Sequence, residues 1–237
     1  MPATSILRPV GHPRLDLAIR WVSRQTDGLY LQSRYGILRL TPVGSAIIRV
    51  TFAKGNRLTD GIHPGICVKN MYRMWQYRDT AKTLELLTDE LSLQVDKTTG
   101  AIQFLTRDKK PLLAERSRDC RQIENSPSGG IRSWLYLDWK KSENLYGLDA
   151  NVQLSTNLRG SARYLSHEPN ARMLPFVLSD QGYGILPAAV GSAFLCDISS
   201  YGSYIYMENT SQMDYYFVAG KRAETILSAY SYLCGKL

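Results

Sequence analysis

The stretch Leu174–Leu186 reads LPFVLSDQGYGIL and holds the clearest local pattern in the chain. Two short apolar runs, LPFVLS and YGIL, flank the three residues Asp180-Gln181-Gly182. Glycine stands where a three-residue hairpin loop needs a left-handed backbone, so the stretch predicts a β-hairpin. The hairpin also predicts its surroundings, namely short strands joined by tight turns.

Outward from this hairpin, strand-like runs recur at intervals of about ten residues, which is typical of a sandwich or a barrel. In one of them, Ile48, Val50 and Phe52 alternate with Ile47 and Arg49, which predicts a strand with two different faces. The predicted runs are Ala18–Ser23, Tyr35–Leu40, Ala46–Phe52, Ile131–Trp139, Ala193–Ile198, Tyr204–Met207 and Met213–Val218.

A β-meander is predicted in the middle of the chain. Leu91, Leu93 and Val95 alternate with polar residues, a turn follows at 96–100, and Ala101–Leu105 returns. A second turn at 108–111 leads into another short apolar run. Period-two alternation with turn residues between the runs indicates antiparallel pairing.

The last part of the chain has a helical pattern. In Lys221–Leu233, KRAETILSAYSYL, apolar residues fall at Ile226, Leu227, Tyr230 and Leu233, and Gly235 is placed to cap the helix end. A helix of about a dozen residues draws its stability from packing. We expect its apolar stripe to lack a partner within this chain, and we therefore predict self-association through that face.

Composition favours a globular domain over a disordered or membrane-spanning chain. Hydrophobic residues make up 44% of the 237 residues and charged residues 21%. No apolar run approaches the length of a membrane helix, and the N-terminus lacks the pattern of a signal peptide. We therefore expect a cytoplasmic protein that does not bind membranes.

The net charge of +8 invites a nucleic-acid interpretation. However, Arg116, Arg118 and Arg121 are interrupted by acidic residues, which favours solvated strand edges and loop tips. We therefore expect no nucleic acid as partner.

The cysteines Cys67, Cys120, Cys196 and Cys234 are far apart in sequence and form no CxxC pair. With only three histidines and no metal motif, the sequence predicts reduced thiols, no metal site and no cofactor.

Four segments together resemble the N-terminal β-sandwich domain of glycoside hydrolase family 31, the α-glucosidase and α-xylosidase family. They are RLTPVGSAIIRVTFAKG (39–55), YGLD (146–149), HEPN (167–170) and DYYFVAG (214–220), and they flank the hairpin in the family's order. The resemblance covers essentially the whole chain. It implies an all-β antiparallel sandwich, of the galactose-mutarotase-like type, with a short C-terminal helix.

The resemblance also implies a division of the chain and of the chemistry. The expected parts are a lead-in at 1–17, the sandwich at 18–220 and, at 221–237, a helix leading toward a catalytic (β/α)8 barrel. Family members are retaining enzymes with two carboxylates on the barrel, one of them within a W-x-D-M-N-type segment. That segment is absent here, so we expect this chain alone to be inactive and to brace the barrel. We also expect the reading frame to continue into it.

In the family, a loop after YGLD reaches the pocket that binds the carbohydrate substrate. The matching stretch, 150–173, lacks the usual Asp, and Arg163 and His167 are the candidate substrate-binding residues. Two alternatives stay open: a stand-alone carbohydrate-binding module with a groove beside Trp134 and Trp139, and a basic interaction domain.

Overall fold

A computed structural model describes residues 14–68, 71–127, 129–147, 157–166 and 174–235. These residues form two antiparallel sheets that pack face to face, so the predicted all-β sandwich with a short C-terminal helix is confirmed. The 8-stranded sheet has the order β1 (Ile19–Gln25), β2 (Gly28–Ser33), β3 (Gly36–Gly44), β4 (Ile47–Lys54), β18 (Met213–Ala219), β15 (Tyr183–Pro187), β14 (Val177–Ser179), β12 (Leu145–Gly147).

The 10-stranded sheet lies on the other side of the core. Its order is β13 (Ala162–Ser166), β16 (Ala193–Ile198), β17 (Gly202–Asn209), β11 (Ile131–Asp138), β9 (Pro111–Glu115), β8 (Ile102–Thr106), β7 (Leu91–Asp96), β6 (Thr83–Leu87), β5 (Gln76–Asp79), while β10 (Arg121–Asn125) pairs with β11.

The predicted hairpin is present. Strands β14 and β15 pair in register from Val177 opposite Ile185 to Ser179 opposite Tyr183. Gly182 ends the three-residue loop with φ of +86°, a conformation that residues with a side chain rarely adopt. The loop sequence was therefore sufficient to predict this turn.

The alternation predicted for Ala46–Phe52 is confirmed as well. Ile48, Val50 and Phe52 lie in the main core between the sheets, whereas Ile47 lies in a second cluster on the outer face of the 8-stranded sheet. The meander is also as predicted, with Leu91, Leu93 and Val95 fully buried.

Helix α1 (Ala223–Cys234) ends at Gly235, as its sequence predicts. The expectation that its apolar stripe would lack a partner is wrong. Ile226, Tyr230 and Leu233 are buried in the second cluster, and the Tyr230 hydroxyl donates to the Leu174 carbonyl at 2.9 Å. The outer face of the 8-stranded sheet supplies the partner, so the stripe gives no reason to expect self-association.

The sequence does not predict strands β2, β6, β10, β12 and β13. In β2, Leu29 and Leu31 alternate and are fully buried, and the Asp27-Gly28 turn before them was the available signal. In β10, the prediction that Arg121 lies at a solvated edge is wrong. The side chain is buried because it forms an ion pair with Glu115 of β9 in the core.

Candidate functional site

The candidate substrate contacts are not brought together by the described residues. Arg163 is exposed on the edge strand β13, opposite Leu195 of β16. His167 lies outside the described residues, as do Asp149 and most of the stretch 150–173. The pairing of Arg163 with His167 at a substrate pocket therefore stays a prediction.

Arg159, in the same stretch, has a structural task. Its Nε donates to Asp197 Oδ2 at 2.6 Å, and its Nη1 donates to the carbonyls of Lys140 and Glu143 at 2.7 and 2.8 Å. Burial opposes ionisation of Asp197, but hydrogen bonds from Arg159, the Gly160 amide and Ser203 outweigh it, so the pKa of Asp197 is lowered. Arg159 thus clamps the segment that leads into β13 onto β16.

The tryptophans of the candidate sugar groove, and Trp75 as well, are core residues. Trp75, Trp134 and Trp139 are all buried, and Trp134 has no exposed surface. Trp134 packs edge-on against Tyr206 at 5.2 Å between ring centroids. A flat aromatic platform for sugar needs exposed ring faces, and the buried rings of Trp134 and Trp139 offer none. The alternative of a carbohydrate-binding module with a groove beside these two residues is therefore not supported.

Two adjoining cavities lie against the 8-stranded sheet, and together we call them the double pocket. The first has a volume of about 190 Å³ and the second about 220 Å³. Ile62 lines both. The first is lined mainly by Asp27, Arg39, Thr41, Arg49, Asp60 and Tyr216, and the second by Thr59, His63, Ala188, Asn209, Gln212 and Asp214.

The ion pair between Arg49 and Asp214 separates the two cavities. Arg49 Nε donates to Asp214 Oδ1 at 2.9 Å and its Nη2 to Oδ2 at 2.5 Å, which gives two-point recognition of the carboxylate. A further bond from Nη2 to the Gly61 carbonyl at 2.7 Å holds the wall of the pocket. Burial raises the pKa of the Asp214 carboxyl, and the hydrogen bonds from Arg49 oppose that rise.

Arg39 is the less satisfied arginine of the double pocket. Only 4% of its side chain is exposed, yet its closest acidic oxygens, on Asp27 and Asp60, are each 3.5 Å away. Its Nε and the hydroxyl of Thr41 are buried without a hydrogen-bond partner. Because an unmet donor in a buried position costs free energy, this floor suits an additional acceptor, such as a water molecule or a ligand oxygen.

The second cavity contains the half-buried His63. Its Nδ1 accepts a hydrogen bond from the Gly65 amide at 3.0 Å, and burial lowers the pKa of the imidazole while the Ala189 backbone opposes this. The amide of Thr59 donates to the Gln212 side chain at 2.9 Å, which ties this wall of the cavity to the turn between β17 and β18. The cavity is therefore a preformed polar cleft.

The alternation in β4 correctly predicts the face on which Arg49 lies, but no pattern in the sequence indicates the double pocket. Arg49 and Asp214 are far apart in the chain and meet only because β4 pairs with β18. Among the residues that the structure describes, no group of three or more His, Cys, Asp or Glu side chains could hold a metal ion. No helix within the described ranges is long and apolar enough to cross a membrane.

Comparisons with known proteins define the class of enzyme in which this architecture occurs. No family model matches the chain. A curated relative, an uncharacterized family 31 glucosidase of Pseudescherichia vulneris, is 25% identical over 229 residues, covering 84% of this chain and 41% of the relative.

Solved structures of family 31 enzymes share the fold. A dextranase of Flavobacterium johnsoniae matches 94% of this chain with 29% of its own length, at a TM-score of 0.76 and 20% identity. An α-xylosidase of Xanthomonas citri matches 90% of this chain with 40% of its own length, at a TM-score of 0.76 and 11% identity.

These relatives confirm the resemblance that the sequence motifs predicted: the curated and structural neighbours are family 31 enzymes. This chain spans 41% of the curated relative, 29% of the dextranase and 40% of the α-xylosidase.

Proposed function

We propose that the chain is the N-terminal β-sandwich domain of a family 31 α-glycosidase and that it has no catalytic residues of its own. The main support is that nearly all of this chain matches only part of a larger enzyme: 94% of this chain aligns with 29% of a dextranase at a TM-score of 0.76. The domain braces a catalytic barrel and shapes the rim of its substrate pocket. The substrate of the whole enzyme is an α-glucoside or a related α-glycoside, in keeping with the glucosidase, dextranase and xylosidases among its relatives.

The buried carboxylates support a non-catalytic role. Retaining hydrolysis uses two carboxyl groups about 5–5.5 Å apart on either side of the sugar. Glu115 is enclosed with Arg121, and Asp214 is held by Arg49. Glu143 accepts from the Lys140 amide, Ser179 and Tyr183 beneath the hairpin. Each of these groups is committed to holding the sandwich together.

The double pocket supports a docking role for the outer face of the 8-stranded sheet. Its rim carries Ile62 and Met71, which are 39% and 42% exposed, above a floor with the under-satisfied Arg39. Met and Arg are enriched at protein interfaces, and binding hot spots lie in pockets ringed by contacts that exclude water. We assign this face to the contact with the barrel, and Arg163 and His167 to the pocket rim. A cytoplasmic location, in keeping with four free thiols, is part of the proposal.

The test uses the product of the complete reading frame that encodes this chain. We expect it to hydrolyse aryl α-glucosides or α-xylosides with retention of configuration, observed by NMR of the first sugar released. Hydrogen exchange should be slower over residues 59–68 in the full enzyme than in the isolated domain, whereas β7 and β8 should exchange equally in both. A folded full-length product without α-glycosidase activity would overturn the proposal, and unchanged exchange at 59–68 would overturn the assigned docking face.

A further inference from the structure

Two of the four cysteines meet where the end of α1 touches the loop that follows β4. The amide of Cys67, in this loop, donates to the Leu233 carbonyl at 2.8 Å, and its Sγ donates to the Cys234 carbonyl at 3.3 Å. Carbonyls at a helix C-terminus have no partner within the helix. The loop therefore supplies that partner and places Cys67 directly against the last helical residue.

The contact places Cys67 beside the backbone of Cys234. Because a carbonyl oxygen lies close to its own Cα, Cys67 Sγ is within about 5.7 Å of the Cys234 Cα. A side-chain carbon at Gly235 would lie 3.0 Å from the same sulfur, so Cys67 Sγ rests on the backbone beside Cys234. The 2.8 Å hydrogen bond from the Cys67 amide to the Leu233 carbonyl keeps the Cα atoms of Cys67 and Cys234 within about 7 Å of each other. Disulfides form between cysteines whose Cα atoms are about 4.4–6.8 Å apart.

Exposure distinguishes this pair from the other two cysteines. Cys67 is exposed and Cys234 is partly exposed, whereas Cys120 and Cys196 are buried. Burial also raises the pKa of the Cys120 thiol to about 12, which keeps it in the unreactive protonated form. An oxidant in solution thus reaches Cys67 first, and of the four cysteines only Cys234 is its neighbour.

We propose that Cys67 and Cys234 form a reversible disulfide that locks the end of α1 onto the loop after β4. The oxidant is a low-molecular-weight disulfide such as oxidised glutathione. The Cys67 thiolate attacks one of its sulfurs, which gives a mixed disulfide and releases one thiolate. The Cys234 thiolate then attacks Cys67 Sγ and releases the second. Two protein thiols are oxidised by two electrons, and the oxidant becomes two thiols that carry the two protons.

The lock has a consequence for the double pocket. Asp60, Ile62 and Val68, which line the first cavity, belong to the same loop as Cys67. Fixing Cys67 to α1 restrains this wall relative to the sheet. The disulfide would therefore make the pocket more rigid under oxidising conditions, and it does so whether or not the chain is joined to a catalytic barrel.

The second step sets the pH dependence of closure. Burial raises the pKa of Cys234 to about 11, with a further contribution from the nearby Cys67 and an opposing hydrogen bond from Tyr230. Since the thiolate is the attacking species, the fraction able to close the disulfide rises roughly tenfold for each pH unit below that value. Closure should therefore be several-fold to tenfold faster at pH 9 than at pH 8.

The experiment incubates the protein with oxidised glutathione at pH 8 and pH 9, followed by thiol counting and mass spectrometry. We expect the count to fall from the four cysteines of the sequence to two, a peptide joining Cys67 to Cys234, and no retained glutathione. The Cys234→Ser variant should stop at glutathione on Cys67, and the Cys120→Ala/Cys196→Ala variant should close like the parent. The oxidised parent should unfold at a higher temperature than its reduced form, with no such difference for Cys67→Ser.

Persistent glutathione on Cys67 in the folded parent at pH 9, with Cys234 still free, would overturn the proposal. Covalent dimers through Cys67 in place of the internal bridge would overturn it as well. If the Cys120→Ala/Cys196→Ala variant fails to fold, the peptide map of the parent alone decides between these outcomes.

Discussion

Two buried ion pairs hold this sandwich, and they differ in what surrounds them. Glu115 and Arg121 have exposed side-chain fractions of 0% and 1%, and Glu115 also accepts from the Ile102 amide and the Tyr215 hydroxyl at 2.8 Å each. Arg49 and Asp214 are 7% and 8% exposed and stand between two cavities. The first pair is closed on all sides, and the second forms a wall of an open site.

The difference indicates which charges belong to the fold and which are available for binding. Burial raises the pKa of the Glu115 carboxyl, and Arg121 and the other donors oppose the rise. Both carboxylate oxygens of Glu115 accept hydrogen bonds from within the fold. Beside Arg49, in contrast, Arg39 retains a buried Nε without a partner. A buried hydrogen-bond donor that lacks a partner beside a cavity distinguishes a prospective binding surface from a structural core.

Breaking the enclosed pair should have the largest effect. Arg121→Met leaves the Glu115 carboxylate buried without its cation, and loss of one partner from such a pair typically costs about 3–5 kcal/mol. Urea denaturation should show this loss in the free energy of unfolding. The double variant Glu115→Leu/Arg121→Met should be milder than Arg121→Met alone. A single variant within about 0.5 kcal/mol of the parent would contradict the structural role.

Breaking the pair at the double pocket should cost less. Asp214→Asn keeps the shape but weakens the bonds from Arg49, and hydrogen bonds to charged groups are worth about 1.5–3 kcal/mol. Water entering from the two cavities can solvate the remaining guanidinium. The same denaturation measurement checks this value, with Asp138→Asn, at an exposed strand end, as the matched control. A loss equal to that of Arg121→Met would remove the distinction between the two pairs.

Removing Arg39 should have a still smaller effect on stability. Its nearest acidic oxygens are 3.5 Å away and its buried Nε has no partner, so few favourable interactions of the guanidinium are lost. Arg39→Met should leave the free energy of unfolding within about 1 kcal/mol of the parent, while exchange protection at 59–68 in the full enzyme decreases. A larger loss of stability would make Arg39 a structural residue and not a binding residue.

The smallest effect is expected at Asp197 of β16, whose ion pair with Arg159 is only partly buried. Its folded-state pKa is lowered, so its contribution to stability is present above the unfolded pKa of about 4 and is lost as the pH falls through the folded value. Asp197→Asn should therefore narrow the difference in unfolding midpoint between pH 6 and pH 3. An Asp197→Asn variant with the parent's full acid sensitivity would assign that sensitivity to other carboxyl groups.

The sequence predicted those parts of the fold that depend on neighbouring residues. Gly182 determined the hairpin loop, and the alternation of Leu91, Leu93 and Val95 determined the meander. Helix α1 was predicted to within two residues at its start and one at its end, but its burial was not. The stripe packs on Phe176, Tyr216 and other residues that are distant in the chain, and no local pattern records that contact.

The site was harder to predict for the same physical reason. Arg121 looked like a solvated charge because its partner Glu115 lies on another strand, and Cys67 and Cys234 looked unrelated because only the fold joins them. Family motifs directed attention to Arg163 and His167, whereas the double pocket consists of residues on β3, β4, β18 and the loop after β4. Long-range pairing, and not residue type, creates such a site.

We propose that this chain contributes structure and no catalytic carboxylates, and a hydrolysis assay of the purified 237-residue chain tests this role most directly. Aryl α-glucosides and α-xylosides should be assayed across the pH range in which the protein remains folded. We predict no hydrolysis above the uncatalysed rate, with the full-length product as the positive control. Hydrolysis that persists through purification and disappears on substituting a carboxylate such as Asp60 would contradict the account.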